Sequence, residues 1–167
     1  MVVADIPSQL VDEIVVVDNG SNDATGSVAA AAGANVVEEP RRGYGQACMR
    51  GIAALGPAEI VVFLDGDYSD YAGDMPALLD PIVVAGADLV IGSRTRGGAT
   101  RGSLTLQQRV GNALATRLIR YLFGVHFTDL GPFRAIRSDA LAGLAMEDRD
   151  YGWTVEMQVK AAQRGLK

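Results

Sequence analysis

Apolar residues recur along the chain in two rhythms. Short β-branched runs, Glu13–Asp18 (EIVVVD), Asn35–Glu38, Ile60–Asp65 (IVVFLD) and Asp88–Gly92 (DLVIG), predict strands. The third and fourth are nearly all apolar, which places them inside a sheet covered on both faces. Helix patterns lie between them. Asp23–Ala32 has Asn22 or Asp23 as a cap and Gly33 as a stop, Gly43–Leu55 opens on glycine, and Asp74–Ala85 carries Pro76 in its first turn, where a missing amide is harmless. Leu104–Phe123 has apolar residues at 106, 110, 114, 118 and 122, the spacing of a long amphipathic helix. Phe133–Arg137 predicts a further strand and Thr154–Arg164 a last helix before Gly165, while Arg94–Gly102 (RTRGGATRG) has no apolar anchor and reads as a mobile loop. Strand and helix in alternation predict an α/β fold with a mostly parallel sheet and helices on its faces. Ligands in such sheets sit beyond the carboxyl ends of the strands. Two of the three clearest strands end there in aspartate, Asp18 and Asp65.

Composition narrows the class. At 167 residues, 49% hydrophobic and 21% charged, the chain can bury a sizeable core as one globular domain, so disorder is excluded as its main state. A net charge of −5 argues against a nucleic-acid binder that works through bulk positive charge. No apolar run approaches the roughly 20 residues of a membrane span. The N-terminus lacks the pattern of a signal peptide, and Cys48 is the single cysteine, so a cytoplasmic location is expected. The charge is unevenly distributed: residues 1–88 hold 14 acids and three arginines, whereas 89–128 hold six arginines and no acid. That cationic stretch suits anionic substrate groups. A solvated basic helix face would give the same count.

The densest chemistry is DGDYSDYAGD, with Asp65, Asp67, Asp70 and Asp74 directly after a buried strand. Two acids one residue apart at a strand end can direct oxygens to one Mg²⁺ or Mn²⁺. An EF-hand fits less well, because the twelfth loop position has no glutamate. Val16–Gly26 (VVDNGSNDATG) repeats the strand, aspartate and turn, so Asp18 can accept hydrogen bonds from a nucleotide or simply tighten the turn. Arg41–Cys48 (RRGYGQAC) looks like a phosphate loop but lacks the third glycine of a dinucleotide fingerprint and the Lys-Ser/Thr of a P-loop. His126 reads as a packed or capping residue, and Cys48 as a small buried thiol. Trp153 suits core packing and sugar stacking equally, and Asp70 suits a third metal-shell ligand or a cap.

In order, VVDNGSNDATG, RRGYGQACMRGI, VVFLDGDYSD, LVIGSR and TDLGPFRAIR resemble glycosyltransferase family 2, in its dolichyl- or polyprenyl-phosphate sugar synthase branch. The resemblance implies a three-layer α/β/α, Rossmann-like GT-A fold. It implies a nucleotide site around Asp18, Asn19, Gly20, Ser21, Arg42 and Gly43, and a metal, Mg²⁺ or Mn²⁺, on Asp65 and Asp67. Arg94, Arg101, Arg109 and Arg134 would meet phosphate or acceptor. Family members open with a P-x-x-N-E-like strand that has no counterpart before Glu13, and they continue past residue 167. The chain is therefore expected to hold most of one catalytic domain, its first strand and C-terminal end lying outside it.

The implied reaction moves a sugar, with inversion, from a UDP- or GDP-sugar to a lipid phosphate or other small acceptor. A hydroxyl acceptor needs a general base, with Asp129 the first candidate and Glu156 the second; a phosphate acceptor needs cations more than a base. Peripheral contact with the inner face of a membrane and a homo-oligomer are both compatible with this reading. The alternatives are a nucleotide-binding module without turnover and a sugar-phosphate nucleotidyltransferase. The second would need a G-x-G-T-R-like loop and a lysine near the first strand, yet the only lysines are Lys160 and Lys167.

Overall fold

The computed structural model describes residues 2–93, 106–125, 127 and 129–167. The Arg94–Gly102 loop and His126 lie outside them. A short helix α1 (Val2–Asp5) leads to strand β1 (Val15–Asp18), helix α2 (Thr25–Ala31), β2 (Asn35–Glu38), α3 (Tyr44–Ala54), β3 (Ile60–Phe63), α4 (Met75–Ala85) and β4 (Leu89–Ile91). The long α5 (Leu106–Phe123), β5 (Arg134–Arg137), α6 (Ser138–Leu144) and α7 (Trp153–Gln163) complete it. Every predicted strand and helix is present, with ends moved by a few residues. The N-cap of α2 is Ala24, which makes no side-chain cap bond, so neither Asn22 nor Asp23 is the cap; Asp23 instead tightens the preceding turn, accepting from the amide and hydroxyl of Thr25. α4 carries Pro76 at its start and stops on Gly86, a left-handed residue with φ 64°. α1 and α6 were not expected; both are too short to show a helical period.

Pairing is less uniform than simple β/α alternation predicts. β1 and β2 are parallel, Val15 opposite Asn35 through Asp18 opposite Glu38. β5 lies between β3 and β4 and runs antiparallel to both, so β3 and β4 point the same way. Among the described residues, nothing pairs with the outer edge of β1 or of β3. Val15–Val17 and Ile60–Leu64 both line a cavity of about 1230 Å³.

β5 sets the layers. Its residues alternate between faces: Phe133 and Ala135 pack with Met75, Leu78 and Ile82 of α4, while Ile136 packs with Leu141, Leu144, Trp153 and Met157 of α6 and α7. The strand is covered on both sides: Ala135 and Ile136 are fully buried and Arg134 is 1% exposed. Trp153 belongs to this core, edge-on to Phe63 at 6.3 Å. Core packing, not sugar stacking, is its role here.

The glycines of RRGYGQAC answer to packing. The amides of Gly45 and Gln46, at the start of α3, donate to the carbonyls of Asp150 and Arg149 at 3.2 and 2.8 Å. A side chain at Gly45 would overlap the Asp148 carbonyl, and one at Gly43, φ 146°, the Arg149 carbonyl. Gly45→Ala is expected to lower the unfolding free energy by about 1–3 kcal/mol through forced overlap. Gly73→Ala, where no atom lies within 4 Å of the new methyl, should change it by less than about 0.5 kcal/mol. Urea denaturation midpoints of the two variants measure the difference.

Candidate active site

Three loop systems follow β1, β2 and β3. After β1, Asp18 Oδ1 accepts from the Ser21 amide at 2.8 Å, and this bond holds the Asp18 carboxyl below its usual range. Gly20 takes φ 81° in the turn, and Ser21 is exposed. Asn19 is a tie between loops: its Nδ2 donates to the carbonyls of Glu39 and Arg41, each at 2.7 Å, and its Oδ1 accepts from Gly43 N at 3.0 Å. The structure thus brings Asp18, Asn19, Gly20, Ser21, Arg42 and Gly43 together, with Arg42 Nη2 at 3.4 Å from the Gly20 carbonyl. The Asn19 amide and the Gly43 amide serve this tie. Beside it, Arg41 pairs with the buried Glu39 at 3.0 Å and holds that carboxyl at about 2.

After β3, Asp65 is half-buried on the cavity wall and Asp67 is exposed, its Oδ1 accepting from the Ser69 amide at 2.9 Å. Among the described residues, no group of three or more His, Cys, Asp or Glu is placed to hold a metal ion. Two carboxylates at a strand end fit Mg²⁺ or Mn²⁺ held partly by water and ligand phosphates, and do not fit an all-protein cage.

Beneath Asp65 is a buried polar cluster that the sequence motifs did not indicate. The Tyr44 hydroxyl hydrogen-bonds to Asp65 and lies beside Cys48 and Arg134, and burial raises its pKa. Burial likewise pushes the Cys48 thiol up to about 12. Arg134 was expected to face the acceptor. Instead it is 1% exposed, and its guanidinium turns inward. Nε donates to the Gly131 carbonyl, Nη2 to those of Leu130 and Gly131, and Nη1 to that of Thr154, with Nη1 also 3.6 Å from Met157 Sδ. Enclosure lowers its pKa to about 10, against the opposing pull of Tyr44, Cys48, Asp129 and Asp65. It stays charged at neutral pH.

Both candidate bases are engaged. Asp129 is 1% exposed and accepts from the Leu130 amide at 2.8 Å, while its carbonyl accepts from Gln158 Nε2. Glu156 accepts from the amides of Glu147 and Asp148 at 2.9 and 2.8 Å and pairs with Lys160 at 2.7 Å. Burial alone would raise its pKa; Lys160 and the two amides outweigh that and lower it. Glu156 therefore fastens the 147–148 turn, and a weakened carboxylate base is a poor proton acceptor. Arg94 and Arg101 lie outside the described residues; Arg109 is in the first turn of α5 and its side chain also lies outside them.

Two outcomes follow. Arg134→Lys cannot reach the same carbonyls with a single ammonium and should lose more than about 2 kcal/mol of unfolding free energy; an unchanged denaturation midpoint would show that the fork is dispensable. At pH 8 a thiol with a pKa near 12 is ionised to only about one part in ten thousand. Cys48 should therefore react with a thiol reagent far more slowly in the folded protein than in urea, its rate climbing only as pH approaches that value.

Comparison with known proteins places this fold and sequence. The profile described as "Glycosyl transferase family 2" matches residues 2–144. The chain is 35% identical to "Glycosyltransferase AglJ" of Haloferax volcanii over 99% of its own length and 55% of the relative's. It is 36% identical to "Dolichyl-phosphate hexose transferase" of the same organism over 92% of itself and 65% of that protein. A solved glucosyl-3-phosphoglycerate synthase of Mycobacterium tuberculosis, in complex with Mn²⁺, UDP-glucose and phosphoglyceric acid, superposes with a TM-score of 0.75 at 30% identity, covering 98% of this chain and 60% of that one. The chain thus spans between about half and two thirds of these three proteins. Its layered α/β architecture is that of the GT-A glycosyltransferases, and with the profile matching well over half of it, the chain belongs to glycosyl transferase family 2.

Proposed function

We propose that this chain carries the donor-binding part of an inverting glycosyltransferase that moves a sugar from a UDP- or GDP-sugar to a polyprenyl phosphate. The observation that carries the reading is the loop after β3: Asp65 hydrogen-bonds to half-buried Tyr44 on the cavity wall, with Asp67 exposed two residues on. A divalent ion bound there would neutralise charge on the departing diphosphate. Asp18 and the loop tied by Asn19 would receive the nucleoside. In the reaction an acceptor phosphate oxygen forms the new bond to the anomeric carbon. The bond from that carbon to the diphosphate breaks, its electron pair leaving with the diphosphate.

The choice of a phosphate acceptor draws support from the two candidate bases. Asp129 is enclosed, and Glu156 is occupied by Lys160 and two amides. A hydroxyl nucleophile would need such a base, whereas a phosphate is already an anion at neutral pH. The similarity to a dolichyl-phosphate hexose transferase points the same way. The single catalytic domain expected from the sequence remains part of this proposal: the chain spans about half to two thirds of the three proteins compared above, and among the described residues nothing pairs with the outer edges of β1 and β3. They also favour a second reading, in which the isolated chain binds nucleotide without turnover.

The test uses the full gene product with a panel of UDP- and GDP-sugars, polyprenyl phosphate and either Mg²⁺ or Mn²⁺. Asp67→Asn should lower kcat by roughly a hundredfold or more, while Asp139→Asn, on the exposed start of α6, should leave it unchanged. No turnover with any donor would sink the proposal. Thermal stabilisation by UDP and Mn²⁺ without turnover would establish the binding-only reading.

A further inference from the structure

The hydroxyl of Tyr44 hydrogen-bonds to the Asp65 carboxylate, and the reaction proposed above gives that hydroxyl no task. A phenol keeps its proton at neutral pH, so the hydroxyl donates and the carboxylate accepts. Cys48 is a second hydrogen-bonding neighbour of the same hydroxyl. A thiol accepts weakly and a carboxylate strongly, so the single phenolic proton goes to Asp65. A carboxylate offers about four acceptor positions. One donor therefore aims Asp65 without consuming it.

Tyr44 is itself held from several directions. It opens α3 between Gly43 and Gly45, where the backbone of residues 148 and 149 comes too close for any side chain on either glycine. Its ring stacks on that of Tyr151, with centroids 6.3 Å apart and planes at 17°. The amide of its neighbour Gly43 donates to Asn19 Oδ1 at 3.0 Å. Tyr44 is thus fastened to the 148–151 turn and, through Gly43, to the loop after β1. The two acids differ in what holds them. Asp67 accepts from the Ser69 amide at 2.9 Å, inside its own turn, whereas the bond to Asp65 comes from a different element. Tyr44 and Asp65 line the same cavity.

We propose that Tyr44 is a positioning residue for a divalent ion: its hydroxyl fixes the angle at which the Asp65 carboxylate meets Mg²⁺ or Mn²⁺, and α3 links that angle to the loop that receives the nucleoside. The inference rests on the reading of Asp65 and Asp67 as metal ligands. A hydrogen bond to a ligating carboxylate is worth about tenfold to a hundredfold in metal affinity.

The test is calorimetric titration of the full gene product with UDP and with GDP, each without Mn²⁺ and at one fixed Mn²⁺ concentration too low to bind the protein by itself. The ratio of the two dissociation constants reads what the ion adds to nucleotide binding. Tyr44→Phe keeps the ring and its stack and removes only the hydroxyl. In that variant the ratio should fall about tenfold, or to unity, while metal-free affinity stays that of the parent. Tyr71→Phe, which removes a hydroxyl from a side chain 82% exposed, should keep the parent's ratio. A ratio like the parent's in Tyr44→Phe would overturn the proposal. So would an equal loss with and without Mn²⁺, which is what a merely structural role would give. Asp65→Asn separates this inference from the reading beneath it. If Asp65→Asn abolishes the Mn²⁺ effect and Tyr44→Phe leaves it whole, the positioning role fails and the metal site stands. If Asp65→Asn and Asp67→Asn both leave the Mn²⁺ effect whole, or the parent shows none, the metal reading fails and the positioning role falls with it.

Discussion

A guanidinium shut away from water imposes the strictest constraint on this fold. Arg134 sits at the start of the central strand, opposite Phe63 of β3 and Ile91 of β4, on the face that also carries Ile136. An enclosed cation is tolerable only if its donors are met. The chain meets them by folding the 130–131 turn back over its own strand and by presenting the Thr154 carbonyl from the first turn of α7. One side chain therefore fixes the turn after α5, the start of β5 and the seat of α7 together. The same charge lies near Asp65, Asp129, Tyr44 and Cys48, so the floor of the candidate site and the packing of the third layer depend on one set of contacts.

The second tie is neutral. Asn19 uses both ends of its amide to bind the loop after β1 to the loop before α3. The amides that open α3 are then taken by the 149–150 backbone. A helix N-terminus is often an anion site, but at α3 those donors hold the protein to itself. Phosphate recognition would therefore fall to Arg42 and to the arginines after β4.

These two ties explain where sequence reasoning succeeded and where it stopped. The strand ending in Asp18 and the strand that stops at Phe63, two residues before Asp65, were legible because β-branched runs and the acids that follow them are local features. The GT-A resemblance rested on the order of such local pieces. The direction of Arg134 was not legible: alternation along β5 puts it on one face, but only the return of residues 130–131 makes that face a closed socket. RRGYGQAC looked like a phosphate loop because glycine permits close approach to any backbone. The partner at Gly43 and Gly45 proved to be residues 148–150, more than a hundred positions away. Tyr44 lay in plain view within that motif, yet its bond to Asp65 depends on how α3 crosses β3.

The stiffness of the candidate metal site follows from the same asymmetry. Asp65 extends from β3, which is held on one side by β5 and from below by Trp153 against Phe63. On its other side, where no described residue pairs with it, β3 lines a cavity that β1 also lines. Unmet backbone donors and acceptors at a strand edge are ready to pair. Whatever occupies that space would complete the hydrogen bonding of β3 and narrow the positions open to Asp65. Since a divalent ion held by two carboxylates depends on their separation, affinity at the end of β3 would be coupled to occupancy of its edge, although the two are different surfaces of the molecule.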